Sequence, residues 1–316
     1  MVRAIRPPIE VGGISKQHVL DDCLINKMSS SQNLHIINDM STEKLENFDR
    51  LCIHTITTKP WSIEEIIENY HQAGVKGISV WRNVLEDRNP AQIGDKIRAA
   101  GMEIVSLVRG GSFTYRNQVE KQAALDDNQR IIDQSVALKA PMVVLVCGAI
   151  PGQSISESVS QIEIGLETLL PYAEKNSVNL AIEPLHPMYA DCRSTICTMK
   201  TANQFAEKFN SPNLGVVVDI FHVWWDLDLY YEIQRCGENE NLFAFHICDW
   251  KMDMTDMLND RGLMGEGVIR IREIRAWMEQ AGFSGFNEVE IFSNRLWNGD
   301  QKELLEKIKK AYLQCS

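Results

Sequence analysis

Residues 214–225 read "LGVVVDIFHVWW". A continuous Gly/Val run with no polar alternation is the pattern of a strand covered on both faces, as in parallel sheets flanked by helices. The run ends on Asp219, and His222, Trp224 and Trp225 follow at once. A lone carboxylate at the end of a buried strand costs on the order of several kcal/mol unless a partner or a metal compensates it.

Seven further stretches share this character: "LCIHTI" (51–56), "GISVW" (77–81), "EIVSLV" (103–108), "MVVLVC" (142–147), "VNLAIE" (178–183), "LFAFHI" (242–247) and "NEVEI" (287–291). Helical signals lie between them. Ser62 with Glu65 forms a capping-box pattern closed by Gly74. Asn89-Pro90 opens a second helix that Gly101 ends. "RIREIRAWMEQAG" places Ile271, Ile274 and Met278 on one face, with Gly282 as the stop. Eight strands, each followed by a helix, predict an α/β protein, a (β/α)8 TIM barrel over residues 51–316. A doubly wound sheet is the other option, but no G-x-G-x-x-G follows the first strand. Residues 1–50 fall outside the repeat and read as an N-terminal extension.

The 316 residues are 44% hydrophobic and 24% charged, the balance of a soluble globular protein. No apolar stretch approaches the ~20 residues of a membrane helix, and the N-terminus lacks the apolar core of a signal peptide. A net charge of −11 argues against nucleic acid as a partner. None of the eight cysteines forms a C-x-x-C pair, and several sit in strands, which predicts reduced thiols and a cytoplasmic location.

Active sites of such barrels lie at the C-terminal ends of the strands. Reading those ends gives Glu183, Asp219, His246 and Glu290, from strands five through eight. Three carboxylates at one mouth repel one another, so their pKa values should rise together unless a cation intervenes. One imidazole with three carboxylates suits one divalent ion, Mn²⁺, Mg²⁺, Co²⁺ or Zn²⁺. The alternative is separate pairing of each acid with an Arg or Lys.

"LAIEPLHPMYADCRS", "VVVDIFHVWWD", "FAFHICDW", "RGLMGEGVI" and "NEVEIFS" together resemble the sugar phosphate isomerase/epimerase family of the xylose isomerase-like TIM-barrel superfamily. The resemblance covers roughly residues 51–313. It implies metal roles for Glu183, Asp219, His246 and Glu290, and implies that His222 contacts substrate oxygen or a second metal. By similarity to ketose epimerases, Glu183 and Glu290 are the proton-transfer pair. The superfamily also contains inosose dehydratases and endonuclease IV-type nucleases, so the fold alone leaves the reaction open.

A sugar isomerase or epimerase acting next to a carbonyl through an enediolate is the expected function, with a small sugar or cyclitol as substrate. The alternatives are a dehydratase or lyase of an inosose or keto-sugar, a nuclease, and a non-catalytic sugar-binding barrel. The nuclease needs extra histidines on strands two and three, where this chain has Arg82 and Arg109. Further substrate-binding candidates are His54, Trp61, Arg109, His186 and Arg193. His54 ends the first strand, and a buried hydrogen-bonded histidine is its other reading. Trp61 could stack on a sugar ring or pack its loop. Arg109 precedes Gly110-Gly111, where a backbone can approach a ligand closely. Arg193 suits a carboxylate or phosphate, or a salt bridge to Asp191. Trp224 and Trp225 suit a pocket wall or a subunit contact, and Glu266 in "GEG" reads as solvated. Oligomeric state stays open, a homo-oligomer included.

Overall fold

A computed structural model describes residues 43–316. Of the expected extension, residues 1–42 lie outside the described residues. The described chain runs β1 (Leu51–His54), α1 (Ile63–Ala73), β2 (Gly77–Trp81), α2 (Pro90–Ala99), β3 (Glu103–Gly111), α3 (Gln118–Leu138), β4 (Met142–Val146) and α4 (Ile155–Lys175). It continues through β5 (Asn179–Ile182), α5 (Met199–Phe209), β6 (Leu214–Asp219), α6 (Leu229–Glu238), β7 (Leu242–Ile247), α7 (Ile271–Gln280), β8 (Asn287–Val289) and α8 (Gln301–Cys315). Adjacent strands pair in parallel and β8 closes on β1, so the sheet is a barrel. Among the described residues, no helix is long and apolar enough to cross a membrane.

Local chemistry sets the boundaries. The Ser62 hydroxyl accepts from Glu65 N while Glu65 returns a bond to Ser62 N, and Gly74 closes α1 in the left-handed region at φ 77°. β3 runs three residues past its expected end. Asn128 of α3 takes over its edge, accepting from Gly111 N at 2.7 Å and donating to Gly111 O at 2.7 Å. A Cβ on Gly111 would stand 2.1 Å from Val146 O, so the glycine pair answers a close approach to β4 and not to a ligand.

Each strand buries two faces. Outward-facing residues such as Val216 and Val218 join the core between sheet and helices, each contributing about 1.5–3 kcal/mol. Inward-facing Val108, Val144, Ala181, Val217 and Ala244 fill the barrel with an apolar tier. Because side chains alternate with period two, Glu183, Asp219 and His246 stand two residues above Ala181, Val217 and Ala244. They share the interior face, one tier nearer the C-terminal mouth. The ladder keeps them level: Asp219 is in register with His246, Glu183 N donates to Leu145 O, and Glu290 N donates to Ile247 O.

Candidate metal centre and active site

One ligand atom from each of Glu183, Asp219, His246 and Glu290 lies within 4.8 Å of the others, and all four residues are buried. His54, His246 and Glu290 form a second, overlapping group. His246 Nδ1 is 3.2 Å from Glu183 Oε1 and 4.0 Å from Glu290 Oε2. Yet neither Nδ1 nor Glu183 Oε1 has a hydrogen-bond partner among the described residues. Unmade bonds at buried polar atoms cost about 1–3 kcal/mol each. A cation among these atoms removes that cost, and one nitrogen with three carboxylates fits a divalent ion.

Arg261 is the residue that the strand-end reading missed. Its guanidinium is buried against the rings of Phe221 and Phe292, 4.3 and 4.9 Å from their centroids. Nη1 donates to Glu290 Oε2 at 3.0 Å and to Asp219 Oδ2 at 3.2 Å, and Nη2 lies 3.3 Å from His222 Nε2. Asp219 also accepts from Phe221 N at 2.8 Å. Arginine thus answers part of the Asp219 charge. It leaves four buried carboxylates, Glu183, Asp219, Glu288 and Glu290, facing one guanidinium, which is room for further positive charge.

The loop that delivers Arg261 is tied by one carboxylate. Asp249 Oδ1 accepts from Trp250 N and Ile269 N at 2.9 and 3.0 Å, and Oδ2 accepts from Gly265 N at 2.9 Å. Asp249 and Gly262 exchange backbone bonds, and Arg261 N donates to Phe292 O at 2.9 Å.

The carboxylate pKa values do not rise together. Burial pushes Asp219 up to about 7, against the opposing pull of Arg261. Glu290 is buried as well, but His54 first, then His246 and Arg261, hold it well below the usual carboxylate range. His246 goes up to about 10: burial works to lower it and is outweighed by Glu288, Glu183 and Glu290. The site therefore draws positive charge to His246, and a bound cation would take the place of that proton.

Glu288 was also missed, though it follows the same alternation two residues before Glu290. Buried inside the barrel, it accepts from Ser79 Oγ at 2.5 Å and lies 3.1 Å from His54 Nε2. His54 Nδ1 lies 3.0 Å from Glu290 Oε1 and 3.2 Å from its donor, Trp81 Nε1. His54 is thus the buried, hydrogen-bonded histidine of its second reading, and it stands beside the strand-end residues. The aromatic beside it is Trp81; Trp61 packs edge-on against Tyr70, 6.5 Å between centroids.

His222 joins the cluster's rim, its Nε2 3.6 Å from Asp219 Oδ2 and its Nδ1 buried without a partner among the described residues. Burial, then Arg261, hold its pKa well below the usual range. His186 sits between Trp250 and Trp225, 4.9 and 5.8 Å between centroids, and Trp224 packs on Trp250 at 5.6 Å. Arg193 lies over the Tyr189 ring at 5.2 Å and makes no salt bridge to Asp191. Arg82 pairs with Asp127 on α3 at 2.8 Å, whereas Arg109 has no ion pair among the described residues. Glu266 is not merely solvated: it accepts from Leu263 N at 3.0 Å and from Arg295 at 2.5 Å.

The family model for the xylose isomerase-like TIM barrel matches residues 67–311. The chain belongs to that family. Within this xylose isomerase-like family, it is 22% identical to inosose isomerase of Bacillus subtilis (strain 168) over 203 residues, 63% of this chain and 71% of that protein. Inosose isomerase of Halalkalibacterium halodurans is 21% identical over 201 residues, 62% and 69% of the two chains. The crystal structure of protein SMc04130 from Sinorhizobium meliloti 1021 superposes with a TM-score of 0.82 at 37% identity, covering 85% of this chain and 99% of that one. The IOLI protein with a bound zinc atom superposes at 0.73 and 21% identity, covering 83% and 96%, a likeness of fold.

Proposed function

We propose that this barrel is a divalent-metal-dependent sugar isomerase or epimerase that moves a proton next to a carbonyl, through an enediolate. The observation that carries the proposal is the convergence of Glu183 Oε1 and His246 Nδ1, buried, 3.2 Å apart and unbonded, beside Asp219 and Glu290. The inosose isomerase relatives and the zinc-bound IOLI fold support the same class.

Glu183, Asp219, His246 and Glu290 would hold the cation, which when bound supplies Lewis-acid polarisation of the substrate carbonyl. Glu183 would hold the cation through Oε1, the oxygen left unpartnered beside His246, and accept the carbon-bound proton on its other oxygen. Glu290, fixed by His54 and Arg261, faces the same space and returns a proton. His54 lies between Glu290 and Glu288, with Nδ1 held as an acceptor by Trp81, and fixes the orientation of both carboxylates. His222, at the rim with a buried and unpartnered Nδ1, orients a substrate hydroxyl. The Trp250–His186–Trp225 wall excludes water from the reacting carbon. The substrate is a small sugar or cyclitol. A cytoplasmic location accords with the seven described cysteines, all free thiols.

The test is turnover in D₂O of keto-sugars and inososes with supplemented metal, followed by NMR. Deuterium should enter at the carbon beside the carbonyl. Inversion there marks an epimerase, carbonyl migration an isomerase, and loss of water a dehydratase. Glu183→Gln and Glu290→Gln should each lose about 10²–10⁴ in rate. Near-normal rates in both variants would overturn proton transfer by this pair.

A further inference from the structure

A cavity of about 320 Å³ opens between the loops after β3, β4 and β5, beside the strand that positions Glu183. Arg109, Arg116 and Arg193 line it, with the hydroxyls of Ser112 and Thr114 between them. None of the three arginines forms a salt bridge with a carboxylate among the described residues. Glu120 is the one acid on the wall, and it is engaged by Arg116 N at 2.7 Å and Asn117 Nδ2 at 3.2 Å. Arg193 Nε is buried without a partner.

Two guanidiniums side by side with no anion between them are unfavourable, and the cost grows with burial. Elsewhere at the mouth this chain pairs its arginines, Arg82 with Asp127 and Arg261 with Asp219 and Glu290. The exception is therefore local to the cavity. Burial and then the Arg193 charge hold the Arg109 guanidinium below its usual range, which is the electrostatic face of the same crowding.

The geometry points to an oxyanion subsite: Arg109 and Arg193, with Arg116 at the rim, bind a carboxylate or phosphate of a substrate whose carbonyl end lies at Glu183 and Glu290. This rests on the sugar proton-transfer reading for the identity of the other end, and it names the substrate class as acidic or phosphorylated sugar derivatives. Planar guanidinium forks match the oxygens of either group, and the neighbouring hydroxyls donate to the remaining lone pairs.

The test is calorimetric titration of the full-length protein with sodium gluconate, with inorganic phosphate and with glucose, metal content being measured on each sample. One of the anions, or both, should bind saturably, and glucose should not bind at this subsite. Arg109→Gln and Arg193→Gln should each weaken anion binding about tenfold or more with metal content unchanged, and Arg109→Lys should retain part of it. Preference for gluconate assigns a sugar acid, and preference for phosphate assigns a sugar phosphate. The subsite is overturned if neither anion binds, or if both Gln variants bind as the wild type does, since the anion then sits on the metal. Anion binding lost in the variants of a protein that exchanges no substrate proton would sustain the subsite and sink the proton-transfer reading instead.

Discussion

The two halves of the barrel mouth treat charge in opposite ways. From β5 round to β1, buried acids crowd together, and each shared proton or guanidinium is divided among several of them: Arg261 between Asp219 and Glu290, His54 between Glu288 and Glu290. From β2 to β4 the mouth carries arginines, and Arg109 makes no salt bridge among the described residues. Charge is thus segregated across one opening about one barrel wide. Such segregation orients a ligand, because a molecule with an anionic end and a carbonyl end has one favourable direction of entry.

The largest effect should fall on the metal. Asp219→Asn removes an anionic ligand from the acidic half and should lower divalent-ion occupancy, as should His246→Ala. Elemental analysis showing full occupancy in both variants would place the ion elsewhere and dissolve the contrast.

Next comes the buried guanidinium. Arg261→Met leaves Asp219 and Glu290 without their shared cation, and loss of one member of a buried charge group costs about 3–5 kcal/mol. Arg109→Gln, in the other half, should cost nothing measurable, because it removes a repulsion with Arg193. Urea unfolding compares the two directly, and equal losses would show that the halves are not electrostatically distinct.

His222→Ala sharpens the boundary of the acidic half. It should keep the metal and slow turnover by about 10- to 100-fold, the usual consequence of removing a group that orients the reacting partners. Departure of a second metal equivalent would instead indicate a multinuclear site.

The smallest effect belongs to a paired arginine of the cationic half, Arg82. Asp127→Asn breaks the Arg82 pair at a partly exposed site and should cost about 1 kcal/mol or less. Arg82 holds the Asp127 carboxyl below its usual range. The contribution is therefore present above the ordinary carboxylate pKa and disappears as pH falls through the lowered value. Wild type and variant should converge in acid denaturation, and a difference that persists in strong acid would show that the pair is not its source.

The barrel was legible because buried parallel strands leave unbroken apolar runs, and because Ser62, Gly74 and Asn89 carry their caps locally. The four strand-end residues were legible for the same reason, a polar side chain terminating an apolar run. Glu288 was within reach of the period-two argument, but it sits one step inside the strand, where a search of the ends does not look. Arg261 had no such signal. It comes from a loop, and its approach to Asp219 depends on how Asp249 folds the chain back, a long-range contact that periodicity does not record. Trp81, which donates to His54, gave no signal in the sequence, because a strand-end aromatic shows its partner only once the strands are paired.

The Asp249 clamp carries an implication for how this loop can vary. Its carboxylate and the Asp249–Gly262 bonds hold the two sides of the loop together, while Met252 at the turn is 83% exposed. A lengthened turn hung from such a clamp adds closure entropy slowly, about 0.6 kcal/mol for each doubling. Arg261 enters on the far side of the knot. Extra residues grafted at Met252 and Asp253 would hang outside it, so the segment can be elongated, tagged or diversified in a library with the guanidinium still seated between Asp219 and Glu290.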